Sequence, residues 1–285
     1  MERLNPLNDY LFLKLMGEEG NEVQCLSFLN AVLGAKSNRA RGSQPVNLIK
    51  ILENRTFSAG VVGEKTSILD VRVETDRGER INIEVQLKDL HNMEKRTLFY
   101  WGQEFMRSIS KGDDYVDLPK VITINIVNFD SIKLDDFHTC FHLWEDEHKD
   151  YMLTDALEIH FINMVKFKRL KTADIENNPL ERWLTFLDKD TPEELLEEVI
   201  NMDTAISRAN DRLNFVSQDK EFLRTYQMRE MALSDWTTGV NTAFEKGIEK
   251  GKMEIARSLL NVGDSIDKII AVTGLSHKEI ESLRE

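Results

Sequence analysis

The chain has 285 residues, a mass of 33.0 kDa and a formal net charge of −13, with 41% hydrophobic and 31% charged residues. That length builds a full core in one or two domains, and the composition is that of a globular protein rather than a fibrous or disordered one. Its two cysteines, Cys25 and Cys140, exclude a disulfide framework and a cysteine-rich zinc module, and no apolar run reaches the roughly 18 residues of a membrane span, so a cytoplasmic protein with no membrane partner is expected.

The elements follow in chain order. Asn5-Pro6-Leu7-Asn8-Asp9 opens a helix that Asn8 or Asp9 can cap, with Tyr10, Phe12, Leu13 and Met16 as its apolar positions. Residues 23–33 repeat the helical pattern, and Gly34 is expected to stop it. Residues 46–52 read as a strand. Residues 67–75 and 79–87 then alternate apolar and polar side chains around a turn at Asp76-Arg77-Gly78, the signature of a hairpin. Residues 93–110 form a helix with Phe99, Trp101, Phe105, Met106 and Ile109 as its expected buried set. Residues 121–127 are too apolar for an edge strand and predict a central one. Two more strands are expected at 137–144 and 157–165.

From about Pro179 the pattern is all-helical, with segments at 181–187, 192–202, 205–233 and 237–260. Two short helices follow in 265–283, the second opened by a capping box, Ser276-His-Lys-Glu279. The fold class is therefore α/β: a mixed sheet flanked by helices, then a helical C-terminal region. The expected boundary falls between residues 1–175 and 176–285.

The hairpin carries the chemistry. With Gly78 in the left-handed position of a three-residue loop, paired residue numbers sum to 154. Asp70 then stands opposite Glu84, and Gln86 shares their face because strand side chains repeat every two residues. Two carboxylates facing each other across a strand pair repel, and a hard divalent cation, Mg²⁺ or Mn²⁺, turns that cost into a binding site. Such a cation polarises a phosphate and lowers the pKa of a bound water. Gln86 does not titrate, but it orients a water or a ligand through its donor and acceptor. Charge does not oppose a polyanionic partner here. Residues 1–130 hold 17 basic and 19 acidic side chains, against 20 and 31 in the remainder. Between Lys36 and Arg55 there are five basic residues and one acid, a strip able to contact phosphates.

These residues resemble a known family. Pro6-Leu-Asn-Asp9-Tyr-Leu-Phe12-Leu-Lys14, Phe28-Leu-Asn30-Ala-Val-Leu-Gly34, Glu64-Lys65-Thr-Ser-Ile-Leu-Asp70-Val, Ile83-Glu84-Val-Gln86, Arg96-Thr-Leu-Phe-Tyr100-Trp101, Leu118-Pro-Lys-Val121-Ile-Thr-Ile and Leu157-Glu-Ile-His160-Phe-Ile occur in order. Together, over about residues 5–170, they are similar to the PD-(D/E)XK nuclease family transposases, relatives of the recombination-promoting nucleases. The resemblance implies a restriction-endonuclease-like core that cleaves DNA phosphodiesters with Mg²⁺ or Mn²⁺. It implies metal ligation by Asp70 and Glu84, with Asp9 as a further ligand from the first helix. Where the wider superfamily often has Lys, this chain has Gln86, as the narrower family commonly does. Lys65 is either the cation that partly substitutes or a solvated lysine on a turn, and Arg96, on the helix after the hairpin, either clamps a phosphate or pairs with Glu94, Glu104 or a sheet carboxylate.

Two alternatives remain open at this stage. One is a catalytically decayed nuclease core that acts as a DNA-binding module. The other is a protein-interaction role for the acidic helical half, with a second copy of the chain as partner. His138, Cys140, His142 and His148 lack CxxC or HExxH spacing and are read as strand and surface positions rather than zinc ligands. The two tail helices resemble a helix-turn-helix reader.

Overall fold

The computed structural model describes residues 3–35, 45–52, 70–109, 112 and 114–283. The sheet contains β1 (Ile49–Ile51), β2 (Val71–Thr75), β3 (Arg80–Gln86), β4 (Val121–Val127), β5 (His138–Trp144) and β6 (Met152–Asn163), in the order β1-β2-β3-β4-β6-β5. β3, β4 and β6 run parallel, and the remaining pairs are antiparallel. The hairpin pairs Val71 with Ile83, Val73 with Ile81 and Glu74 with Arg80, so the numbers do sum to 154. Its turn needs Gly78, whose φ of 78° is in the left-handed region that a side chain disfavours. β4 is central, with all seven residues buried, as its unbroken apolar run requires.

Alternation sorts the sheet into two faces. Val71, Val73, Ile81, Ile83, Ile122, Ile124 and Ile126 point to one face and join a core with α1 (Asp9–Met16) and α2 (Glu22–Ala35). Asn8 caps α1, accepting from the backbone N–H groups of Tyr10 and Leu11. α2 runs one residue past Gly34 instead of stopping there; a glycine in a last turn costs only about 1 kcal/mol.

The opposite face of β2–β4 carries Arg72, Asn82, Glu84, Thr123 and Asn125, and α3 (Met93–Arg107) covers it. This overturns the expected burial of α3. Phe99 and Met106 are 61% and 76% exposed, Trp101, Phe105 and Ile109 are half-buried, and the buried residues are Met93, Thr97 and Glu104. The cause is the polar layer beneath. α3 turns toward it side chains that satisfy part of it: Thr97 accepts from Asn125, Glu104 holds Arg72, and the Trp101 indole donates to the Val121 carbonyl, while Asn82 Oδ1, Thr123 Oγ1 and Asn125 Oδ1 are buried without a hydrogen-bond partner among the described residues.

α4 (Met164–Phe167) ends β6. α5 (Pro179–Leu187), α6 (Glu193–Met202) and α7 (Thr204–Val216) then bury Trp183, Leu184, Phe186, Val199, Ile206 and Leu213 in the same core as α1 and α2. The chain separates into two compact units, Met1–Glu230 and Met231–Glu285. These helices therefore belong with the sheet, because their apolar faces have nowhere else to be buried. The helix expected at 205–233 is divided between α7 and α8 (Lys220–Asn261), and α8 runs unbroken for 42 residues through the break expected near residue 235. In the second unit, α9 (Ile266–Thr273) and α10 (His277–Glu281) build a small core of Ala256, Ile269, Leu275 and Ile280. The Ser276–Glu279 capping box is present. No helix among the described residues is long and apolar enough to cross a membrane.

Candidate active site

Glu84 lies in the middle of a sheet under a helix, so its side chain is 2% exposed. Burial is the largest influence on its carboxyl, and the charge of Asp70 adds to it. Together they push the pKa up to about 7, against the opposing pull of Arg96. Arg96 comes from the second turn of α3 and places Nε 2.8 Å and an Nη 2.6 Å from the same oxygen, Oε1. The other oxygen, Oε2, is buried and has no hydrogen-bond partner among the described residues. A buried carboxylate oxygen left in that state is costly, and a water or an ion beside it would relieve the cost.

Asp70 is half-buried, one residue before β2, next in register after the Val71–Ile83 pair. Its charge acts on both Glu84 and Arg96. The Arg96 guanidinium loses solvation on burial, but Glu84, Tyr100 and Asp70 together more than compensate, so its pKa rises and it stays charged. It also sits over the Tyr100 ring, 5.2 Å from the centroid, which holds its plane in place. Arg72 on the same face is gripped by both oxygens of Glu104, at 2.7 Å each, which ties α3 to β2.

Asp70, Glu84 and Arg96 thus come together. Gln86 follows on the same face, and its amide nitrogen donates to the Lys88 carbonyl at 2.9 Å. Asp9 is engaged elsewhere: one oxygen pairs with Arg229 of α8 at 2.7 Å, and the other accepts from the Tyr10 backbone. Lys65 lies outside the described residues.

A family model described as PD-(D/E)XK nuclease family transposase matches residues 6–243. The chain belongs to that family. Searches of curated proteins and of solved structures returned no match. Membership agrees with the mixed sheet and flanking helices of the first unit, ties the chain to nuclease and transposase-related function, and points to DNA as the substrate. PD-(D/E)XK nucleases generally use divalent metals. In this transposase-family chain, Asp70 and Glu84 fit such an ion by two criteria: the donors are hard anionic oxygens, and one of them, Oε2, is oriented with nothing to bind.

Sequence reasoning set Cys140 and His142 aside as zinc ligands for want of a known spacing, and did not see the acid and the histidine of the neighbouring strand that they meet. Cys140, His142, Glu158 and His160 meet on the other face of the sheet, at the β5–β6 edge. The signal was there: β5 and β6 each place two ligand-type residues two apart, hence on one face.

Proposed function

We propose that the chain is a divalent-cation-dependent DNA endonuclease whose centre is Asp70, Glu84 and Gln86. The unpartnered Oε2 of Glu84, buried beside Asp70, carries this reading. A Mg²⁺ or Mn²⁺ ion bound there supplies Lewis-acid stabilisation of charge on a phosphate. Arg96 keeps Glu84 oriented through Oε1 and leaves Oε2 toward the site. One of the two Gln86 Nε2–H groups is given to Lys88, which fixes the amide, and its oxygen accepts from, and orients, a water. The charge of Arg96 is shared between Glu84 and an incoming phosphate, and Lys65 adds a second cation to the phosphate side.

Supercoiled plasmid incubated with Mg²⁺ or Mn²⁺ tests the reading, with EDTA and Glu84→Ala as controls. Nicking or linearisation that needs the ion and disappears in the variant is the expected result. Equal cleavage by the variant would overturn it.

The grip of Arg96 on Glu84, and Gln in place of Lys, favour one second reading: a DNA-binding core that no longer cuts. That reading expects plasmid to be retarded in a gel but not cleaved, and no binding of Mn²⁺ that Asp70→Asn removes.

A further inference from the structure

We propose that Cys140, His142 and Glu158 form a zinc-binding centre on the sheet face opposite Asp70 and Glu84. The registers fix the opposition. Glu84, Asn125 and Phe161 lie in one row across β3, β4 and β6, and Glu158 is three residues from Phe161, so it projects to the other side. One donor atom from each of Cys140, His142 and Glu158 can be chosen so that all three lie within 4.8 Å of one another. The Cys140 Sγ is 3.8 Å from the His142 Nδ1, while the other ring nitrogen, Nε2, is the one 3.4 Å from the Glu158 Oε2, so one of these contacts gives way when a single nitrogen ligates. Bond lengths of about 2.0–2.3 Å at a tetrahedral zinc place neighbouring ligand atoms about 3.4–3.6 Å apart, so the three donors, within 4.8 Å of one another, have about 1 Å to close by side-chain rotation.

The surroundings suit a metal. His160 donates to the Glu158 Oε1 at 2.6 Å and is itself met by the His138 Nε2 at 2.9 Å, a relay that orients the carboxylate. Lys120 pairs with Oε2, and a carboxylate oxygen has lone pairs for both a lysine and an ion. A thiolate with a carboxylate neutralises a dication, and a thiolate–imidazole set selects zinc over Mg²⁺. Three protein ligands leave the fourth position of a tetrahedral zinc to water. The centre clamps the edge strand β5 to β6 where their register breaks, between Phe141 and Leu143.

The inference is independent of the cutting mechanism and is tested without it. Full-length chain, stripped of metal and given one equivalent of Zn²⁺ or Co²⁺, is desalted and its metal measured. One ion per chain is expected in the wild type and in Asp70→Asn/Glu84→Gln, with at least about 100-fold weaker binding in Cys140→Ser/His142→Ala. Should that variant misfold, the wild-type Co²⁺ spectrum decides. A thiolate-to-cobalt charge-transfer band can come only from Cys140, because Cys25 is fully buried in the core, which pushes its thiol up to about 12. No retained ion, retention unaffected by the folded double variant, or bound Co²⁺ without the thiolate band would each overturn the proposal.

Discussion

Arg96 meets a single oxygen of Glu84 with two of its nitrogens, and the second oxygen remains without a hydrogen bond among the described residues. A side-on pair that served stability alone would engage both oxygens, as Glu104 does with Arg72 on the same face. The lopsided grip holds the Glu84 carboxylate in a fixed orientation and keeps half of it available.

Arg96→Ala leaves Glu84 buried and unpaired. The expected loss is about 1–3 kcal/mol, the penalty of an unsatisfied buried group. Adding Glu84→Gln removes the charge, so the double variant is expected to be more stable than Arg96→Ala alone. Urea unfolding of the single and double variants measures this. A double variant that is less stable by the sum of both losses would mean that the two side chains act independently.

Stability should depend on pH through Glu84. Its folded pKa, about 7, lies above its ordinary value of 4.5, so the folded chain keeps a proton that the unfolded chain has lost. The cost is absent below about 4.5, grows as pH rises from 4.5 to 7, and is complete above 7. In EDTA, Glu84→Gln is therefore expected to gain on the wild type as pH goes from 5 to 8, by up to roughly 3 kcal/mol. Comparing the two chains cancels the titrating groups that Glu84 does not act on, which leaves Asp70 as a coupled neighbour. A constant difference across that range would show that Glu84 is already ionised at pH 5.

How far the site could be read depended on distance along the chain. The hairpin register was legible because strand alternation and the Gly78 turn are local, and together they bring Asp70 and Glu84 into line. The burial of Glu84 was not legible. A polar strand face ordinarily meets water, and only pairing across tens of residues, Thr97 with Asn125 and Glu104 with Arg72, shows that a helix lies over it. The same limit applied to Phe99 and Met106, whose apolar character suggested burial that the polar layer refuses. Asn8 was legible as a cap, while the partner of Asp9 lies 220 residues away.

That long-range pair bears on the metal. Asp9 and Arg229 are 40% and 39% exposed, so their ion pair contributes at most about 1 kcal/mol. Asp9→Asn is accordingly expected to change the thermal midpoint little and to leave the Mg²⁺ dependence of plasmid cleavage where it is in the wild type. A rise in the Mg²⁺ needed, without loss of stability, would instead return Asp9 to the metal.

The second unit offers a local test of how its helices are joined. Gly274 ends α9 with φ at 68°, and a Cβ there would meet only the Lys252 Nζ at 3.7 Å. Space is therefore not limiting, and the backbone conformation is. Gly274→Ala is expected to cost about 1 kcal/mol, because a side chain raises the energy of the left-handed region. Gly274→Asn should cost less, since a short polar side chain tolerates that region better. Amide hydrogen exchange in α9 and α10 reads this locally: about fivefold faster for Gly274→Ala, with Gly274→Asn between it and the wild type. Equal exchange in all three would mean that the turn does not limit opening of this unit, and that the Ser276–Glu279 box alone holds α10 in place.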